Sequence, residues 1–332
     1  MSRYAAVHAN PQGPGDARPT AVQIVCDNDM EGNLVGKFVV ITGASAGLGV
    51  ETARALAITG ATLILTARDL PKAKTSLAEI WQEDRMHLVE MDQNSLESVR
   101  VAAKNILTIT DNVSILINNA GIMAIPNLEL SKDGHESQFA VNHLSHFLLF
   151  QLLKPALLKA STPEFQSRVV MLSAAAHRIS RIGASDDHNF QKSPYNQWAG
   201  YARSKTANVY MANQIERLYG PLGLHATSLH PGVIDTTLAR HVSPELKESM
   251  GRELAMIKKS FDQGAATTVV AAVGREWEGR GGVYLNDCAE AERGEDDGIV
   301  SKGSYVSHTY DAEEEARLWR DSLKMVGLPE EN

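Results

Sequence analysis

Lys37-Phe-Val-Val-Ile-Thr42-Gly43-Ala-Ser-Ala-Gly47-Leu-Gly49 decides how this chain folds. Its first half is apolar and β-branched, and its second half turns through glycines straight into a segment of helical periodicity. Glycine is needed where a chain turns sharply between strand and helix, and where backbone must approach a pyrophosphate closely. The helix N-terminus beyond offers free N–H groups and the positive end of a dipole. A glycine triplet alone is a weak signal, because many loops are glycine-rich. Its place after the first strand of a strand–helix–strand unit favours a dinucleotide site over a bare tight turn.

Outward from this stretch, short apolar runs alternate with longer helical patterns. Strands are expected at Phe38–Thr42, Thr62–Thr66, His87–Met91, Ser114–Asn118, Arg168–Ser173, His225–His230 and Gly282–Leu285. Helices are expected at Gly47–Thr59, Leu70–Asp84, Ser95–Thr108, Phe139–Lys159, Tyr201–Tyr219 and Asp262–Val273. The alternation predicts an α/β, Rossmann-type doubly wound fold: a mostly parallel, seven-stranded sheet with helices on both faces and right-handed crossovers. Residues 1–35, rich in Pro, Gly, Asp and Asn, read as an N-terminal extension in which Ala21–Val25 could form a short element. Residues 36–332 read as one domain, a size common for α/β folds.

With 332 residues, 43% of them hydrophobic, the chain can bury a large core. A formal net charge of -8 supplies no basic footprint for nucleic acid or an anionic membrane. Two cysteines, Cys26 and Cys288, make no disulfide framework and suggest a reducing compartment. No apolar run approaches ~18 residues and the N-terminus lacks a signal-peptide core, so the expectation is a soluble, cytoplasmic protein without a membrane span.

The spacing Gly43-x-x-x-Gly47-x-Gly49 resembles that of the short-chain dehydrogenase/reductase family. Asn118-Asn119-Ala120-Gly121, Tyr201-Ala-Arg-Ser-Lys205 and Pro231-Gly232-Val-Ile-Asp-Thr236 follow in that family's order, covering about residues 36–290. Thr66-Ala-Arg68-Asp69-Leu, His177-Arg178 and Gly281-Gly-Val-Tyr-Leu-Asn-Asp-Cys288 look most like the retinol-dehydrogenase-like branch. The resemblance implies a nicotinamide cofactor over Gly43, Ser45, Gly47, Leu48 and Gly49, with Asp92 and Gln93 at the adenine and Asn119, Ala120 and Gly121 beside the adenosine ribose. It also implies Ile234 at the carboxamide, Thr236 at the amide or phosphate, and Tyr201 and Lys205 at the nicotinamide end.

An NAD enzyme usually ends its second strand on an acid that binds the ribose 2′-hydroxyl, whereas an NADP enzyme offers a cation to the 2′-phosphate. Here Ala67 holds the acid's place and Arg68 follows with a fork of donors suited to phosphate. Asp69 stands one step too far along, though it could pair with Arg68. NADP(H) is the expected cofactor.

Tyr201 and Lys205 lie one helical turn apart and share a face. A tyrosine with a pKa near ~10 is a poor base at neutral pH, and a neighbouring ammonium favours its phenolate. In the reductive direction Tyr201 would protonate the developing alkoxide. By resemblance Asn142 would organise a water linked to the lysine; the plainer alternative is a buried asparagine satisfying backbone. The departure from the family comes at the fifth strand. Aligning Ser167-Arg-Val-Val-Met-Leu-Ser173-Ala174 puts Ala174 where the family has a serine that orients the substrate oxygen. Ser173 should face the other way, because side chains alternate along a strand.

Three explanations stay open: another group does the serine's work, the scaffold serves non-redox chemistry (isomerisation, dehydration or cyclisation), or the chain is an engineered serine-to-alanine variant. His143 and His146 make half a metal site that nothing completes, so no metal is expected, and His177 could reach the pocket. The substrate pocket would include Ala174 and Tyr201. By resemblance, residues 237–261, with Leu238, Leu246, Met250, Leu254 and Met256, would form a lid, and Asp186, Asp187, Phe190, Tyr195 and Trp198 the other wall. The expected function is an NADP(H)-dependent oxidoreductase, a carbonyl reductase or alcohol dehydrogenase, acting on a small lipophilic substrate; secondary metabolism is one setting for it. A homodimer through Phe139–Lys159 and Tyr201–Tyr219 is a family expectation.

Overall fold

The structure, a computed structural model, describes residues 3–330, the Met250 side chain excepted. Its strands are β1 (Phe38–Thr42), β2 (Thr62–Ala67), β3 (Met86–Glu90), β4 (Ile115–Asn118), β5 (Ser167–Leu172), β6 (Leu224–His230), β7 (Val283–Asn286) and β8 (Ala289–Glu290). They form one sheet in the order β3-β2-β1-β4-β5-β6-β7-β8. The pairings from β3 to β7 are parallel, and β8 is antiparallel to β7. The order reverses between β1 and β4, which opens a crevice at their carboxyl ends, where such sheets bind ligands.

Period-two alternation sorts the core into two layers. Val39 and Ile41 of β1, Leu63 and Leu65 of β2, and Val170 and Leu172 of β5 join one apolar cluster. Val40, Ile64, Val169 and Met171 join the other. Helices Leu48–Ala57 and Phe261–Val273 cover the first face; Leu96–Ile109, Ser145–Ala160 and Gln197–Tyr219 cover the second.

The seven expected strands lie within a residue or so of their predicted places, and β8 corrects the count to eight. It is two residues long and is reached through Asp287 and Cys288, both left-handed (φ 50° and 58°). That conformation usually advertises itself as Asn-Gly in a two-residue hairpin. Helix Ala312–Met325 was not read from the sequence either; Asp311 caps it, accepting from Glu314 N. The helix expected to Asp84 ends at Ser76. Residues 3–35 lie against the domain, with Ile24 and Val25 of helix Ala21–Asp27 fully buried in the first cluster.

One hydroxyl joins the sheet to the site. Thr42, at the end of β1 and fully buried, accepts from Asn119 N at 2.9 Å and Ala120 N at 3.0 Å. With both lone pairs taken, its proton goes to His146 Nε2, 2.9 Å away, and His146 Nδ1 in turn donates to Asn142 O at 3.0 Å. Burial keeps this ring neutral, lowering its pKa from 6.5 to about 4.

Thr42→Val keeps the shape but orphans two buried N–H groups and a ring nitrogen, so urea unfolding should show a loss of at least ~2 kcal/mol. A loss near zero would mean that water replaces the hydroxyl. A second expectation concerns pH. Burial lowers His143 and His177 to about 3 and His146 and His230 to about 4, against 6.5 when unfolded. Between these limits the unfolded chain binds the extra protons, so stability is complete above 6.5 and is lost as pH falls towards 4. The urea midpoint should therefore drop between pH 7 and pH 5; a flat profile would contradict the burial of these rings.

Candidate functional site

The carboxyl ends of β1 to β6 open on one cavity of about 970 Å³. Gly43, Ser45, Gly47 and Leu48 line it beyond β1, Arg68 beyond β2, and Asp92 and Gln93 beyond β3. Asn119, Ala120 and Gly121 line it beyond β4, and Ile234 and Thr236 beyond β6. Gly49 stands behind this wall, one step into helix Leu48–Ala57. A Cβ there would lie 2.3 Å from Gly43 O, so a side chain would force the helix off the loop. At Gly47 (φ 59°) a Cβ would meet nothing nearer than 3.9 Å, and no side chain caps the helix that follows. An open cradle beneath uncapped helix N–H groups fits the pyrophosphate of a dinucleotide.

At the β2 end, Ala67 is small and the exposed Arg68 has no ion-pair partner among the described residues. Asp69, which could have paired with it, caps the next helix instead, its Oδ1 accepting from Lys72 N at 2.9 Å. Arg68 is thus a free guanidinium on the cavity rim. Asp92 faces the cavity while holding Lys132 at 3.0 Å.

The chemistry end is built on helix Gln197–Tyr219, which starts a turn earlier than expected because Asn196 caps it through Trp198 N and Ala199 N. Tyr201 and Lys205 both line the cavity, with the ammonium 5.6 Å from the centre of the phenol ring. Lys205 Nζ donates to Leu172 O at 2.9 Å and has no acidic partner among the described residues. Burial lowers its pKa to about 8 and pushes the Tyr201 phenol well above 10. Burial, rather than the lowering expected from the neighbouring ammonium, sets the direction of the phenol's shift and favours its protonated form. Its hydroxyl has no hydrogen-bond partner among the described residues.

Ser173 and the extended Ala174 (φ -162°) both border the cavity just beyond β5, but Ser173 Oγ is committed to Lys205 O, to which it donates at 2.8 Å, so its hydroxyl does not stand in for the expected serine. Ser137 also lines the cavity with a hydroxyl that has no partner among the described residues. It was missed in the sequence because nothing in its local spacing distinguishes it from a helix-start serine.

Asn142 does not line the cavity. It sits in a π-helical turn, Ala140–Leu144, where its Oδ1 accepts from Ile122 N at 2.8 Å. Its Nδ2 donates to Ile122 O and to Ser204 Oγ, each at 2.9 Å. Both amide protons are committed to protein, so Asn142 clamps the segment after Gly121. A Cβ at Gly121 would lie 3.2 Å from Asn142 Oδ1, tight enough that the clamp would have to give slightly, and in ordinary contact with Lys205 Nζ at 3.6 Å.

His177 also turns away, its Nδ1 2.8 Å from Ala174 O and its ring against Tyr284. His143 meets Ser322 Oγ at 2.8 Å, and His146 serves Thr42. Of the aromatic and acidic residues expected in the second wall, Trp198 lines the cavity. Asp187 caps a turn at Lys192 and Ser193, and Tyr195 donates to Ile125 O. Leu238, Val242, Lys247 and Leu254 enter from the 237–261 segment.

The short chain dehydrogenase family model matches residues 37–185. A short-chain dehydrogenase/reductase of Penicillium roqueforti, prx1, is 49% identical over 330 residues, covering 99% of this chain and 96% of its own. Human retinol dehydrogenase 13 is 37% identical over 300 residues, covering 88% of this chain and 85% of its own. A solved structure of an uncharacterized protein from Mycobacterium paratuberculosis superposes with a TM-score of 0.69 at 29% identity, covering 94% and 98% of the two chains. With a strand order reversing at a glycine-lined crevice and likeness along nearly its whole length, this chain belongs to the short-chain dehydrogenase/reductase family, in its retinol-dehydrogenase-like branch.

Proposed function

We propose that this chain is an NADP(H)-dependent reductase of carbonyl groups on small lipophilic molecules. The observation that carries the reading is the pair Tyr201 and Lys205: a protonated phenol without a protein partner beside a buried ammonium without an acid, both on the cavity wall. Burying that ammonium costs desolvation free energy that no ion pair returns, a cost that a role toward both the nicotinamide end and the Tyr201 phenolate would offset.

Arg68 supports the choice of cofactor, since an unpaired guanidinium beside Ala67 offers its fork to a 2′-phosphate. Gly43, Ser45, Gly47, Leu48 and the N-terminus of helix Leu48–Ala57 would hold the pyrophosphate, with Gly49 keeping that helix close. Asp92, Gln93, Asn119, Ala120 and Gly121 would hold the adenosine half, and Ile234 and Thr236 the nicotinamide half. When bound, the cofactor supplies the hydride. Tyr201 would give its proton to the carbonyl oxygen, and Lys205 would stabilise the phenolate left behind. Asn142 acts as a positioning residue through Ile122. The apolar rim of the cavity, with Leu130, Ile179 and Val300 all exposed, supports a lipophilic substrate, as does the retinol in the name of the human relative.

Among the described residues no helix is long and apolar enough to cross a membrane. Helix Ala312–Met325 packs on the helices around Phe139–Lys159 and Tyr201–Tyr219 through which a homodimer is proposed. Its Leu318, Trp319 and Leu323 share the apolar cluster of those two helices.

Ala174 removes a donor that is worth roughly 100- to 1000-fold in rate where oxyanions develop. Ala174→Ser should accordingly raise kcat for a lipophilic ketone by at least ~10-fold, followed as NADPH absorbance decay. NADPH binding with no oxidation by either protein would refute the reductase reading and direct attention to isomerised or cyclised products. Arg68→Ala should weaken NADPH binding about 10- to 100-fold and leave NADH binding nearly unchanged. Equal losses for both cofactors in a titration would remove Arg68 from 2′-phosphate recognition.

A further inference from the structure

Helix Pro244–Glu253 crosses the substrate end of the cavity with little packing of its own. Between the buried Val242 and Leu254, every described side chain is at least partly exposed. The position of such a helix is decided at its ends. Its exit is held by a segment that lies more than two hundred residues earlier in the sequence.

Arg18 is 4% exposed. Its Nε donates to Asp16 Oδ1 at 2.8 Å and its Nη1 to Ile257 O at 2.9 Å. Its Nη2 donates to Gly13 O at 3.0 Å and also to Lys258 O. Gly13 N donates to Met256 O at 2.9 Å, so the three successive carbonyls of 256–258 are all taken by residues 13–18. Gln263 fixes that segment in turn, accepting from Gly15 N and donating to Asp16 O and Arg18 O. On its other edge the exit strand pairs with the cofactor loop: Lys259 N donates to Val233 O at 2.8 Å, and Lys258 Nζ meets Asp235 at 2.8 Å.

We propose that Arg18 is a positioning residue for the substrate lid, holding the 256–258 hinge so that helix Pro244–Glu253 closes over the cavity from a fixed exit. The inference takes its substrate from the reductase reading, but the hinge itself stands without it. A lysine cannot substitute fully, since one compact ammonium cannot reach four acceptors spread around a planar fork. Losing Arg18 leaves the Ile257 and Lys258 carbonyls without their donors, and the nearest element free to move is the poorly packed helix upstream.

The test is hydrogen exchange on the whole chain, native, Arg18→Ala and Arg18→Lys. Arg18→Ala should exchange about 10- to 100-fold faster across 237–258 while β1, β4 and β5 stay unchanged, with Arg18→Lys in between. On a ketone that the native chain turns over, KM should rise with kcat held. Unchanged exchange over 237–258 in a folded variant would overturn the proposal, as would uniform acceleration throughout the chain. If Arg18→Ala does not fold, Asp16→Asn weakens the Nε contact, along with those from Gln12 N, Arg18 N and Gln263 Nε2, while leaving the guanidinium on the 257 and 258 carbonyls, and should show the same local pattern at smaller amplitude; its absence would equally overturn the proposal. Exchange needs no turnover, so a chain inactive on every ketone would sink the reductase reading and leave the hinge result intact.

Discussion

A single proton on Thr42 Oγ holds the site to the fold. The first strand ends on it, the loop after β4 donates two backbone N–H groups to it, and the helix that carries Asn142 receives it through His146. Because a hydroxyl has one proton and two lone pairs, this arrangement admits only one pattern and selects the Nδ1–H tautomer of His146. The loop so fixed is 119–122, and Asn142 grips its far end at Ile122. Gly121 lies between the two grips, where a Cβ would come 3.2 Å from Asn142 Oδ1 and within van der Waals contact of Lys205 Nζ. The loop after β4 and the helix that carries Tyr201 and Lys205 are therefore aligned through a connected set of partly buried hydrogen bonds.

The chemistry end shows what burial does when charges are left unpaired. The cost of desolvation pushes Tyr201 towards its protonated form and Lys205 towards its neutral one, so each group's affinity for its proton moves in the direction that favours neutrality. Ala174 stands on the cavity wall where a serine was expected, and the hydroxyls of Ser45, Ser137, Tyr201 and Thr237 on the same wall have no hydrogen-bond partner among the described residues.

The parallel sheet and the cofactor crevice were legible in the sequence because their signals are local. β-Branched runs of five or six residues, and glycines at a turn with no room for a Cβ, declare themselves without tertiary context. What stayed hidden depended on partners distant in sequence. Ser137 and His146 look like ordinary helix residues until the strand ends they face are known. β8 is two residues long, and its turn uses Asp287 and Cys288 where glycine or asparagine would have marked it. Asn142 was visible as a residue but not as a clamp, since only the structure shows its amide committed to Ile122 and Ser204.

The last helix follows from a constraint that the middle of the chain imposes. Helix Gln197–Tyr219 is buried nearly all round from Gly200 to Ile215, and Ser145–Ala160 is almost as apolar on every side. A helix without a polar face needs cover on each face. The sheet supplies one cover and Ala312–Met325 another, with Trp319 edge-on to Phe147 at 4.9 Å. The cover is also keyed by charge. Glu315, 1% exposed, accepts from Asn213 Nδ2 at 2.8 Å and pairs with Arg217 at 2.6 Å. A buried carboxylate must find these donors or remain uncompensated, so the register of the covering helix is specified far more sharply than leucine and tryptophan packing alone would set it.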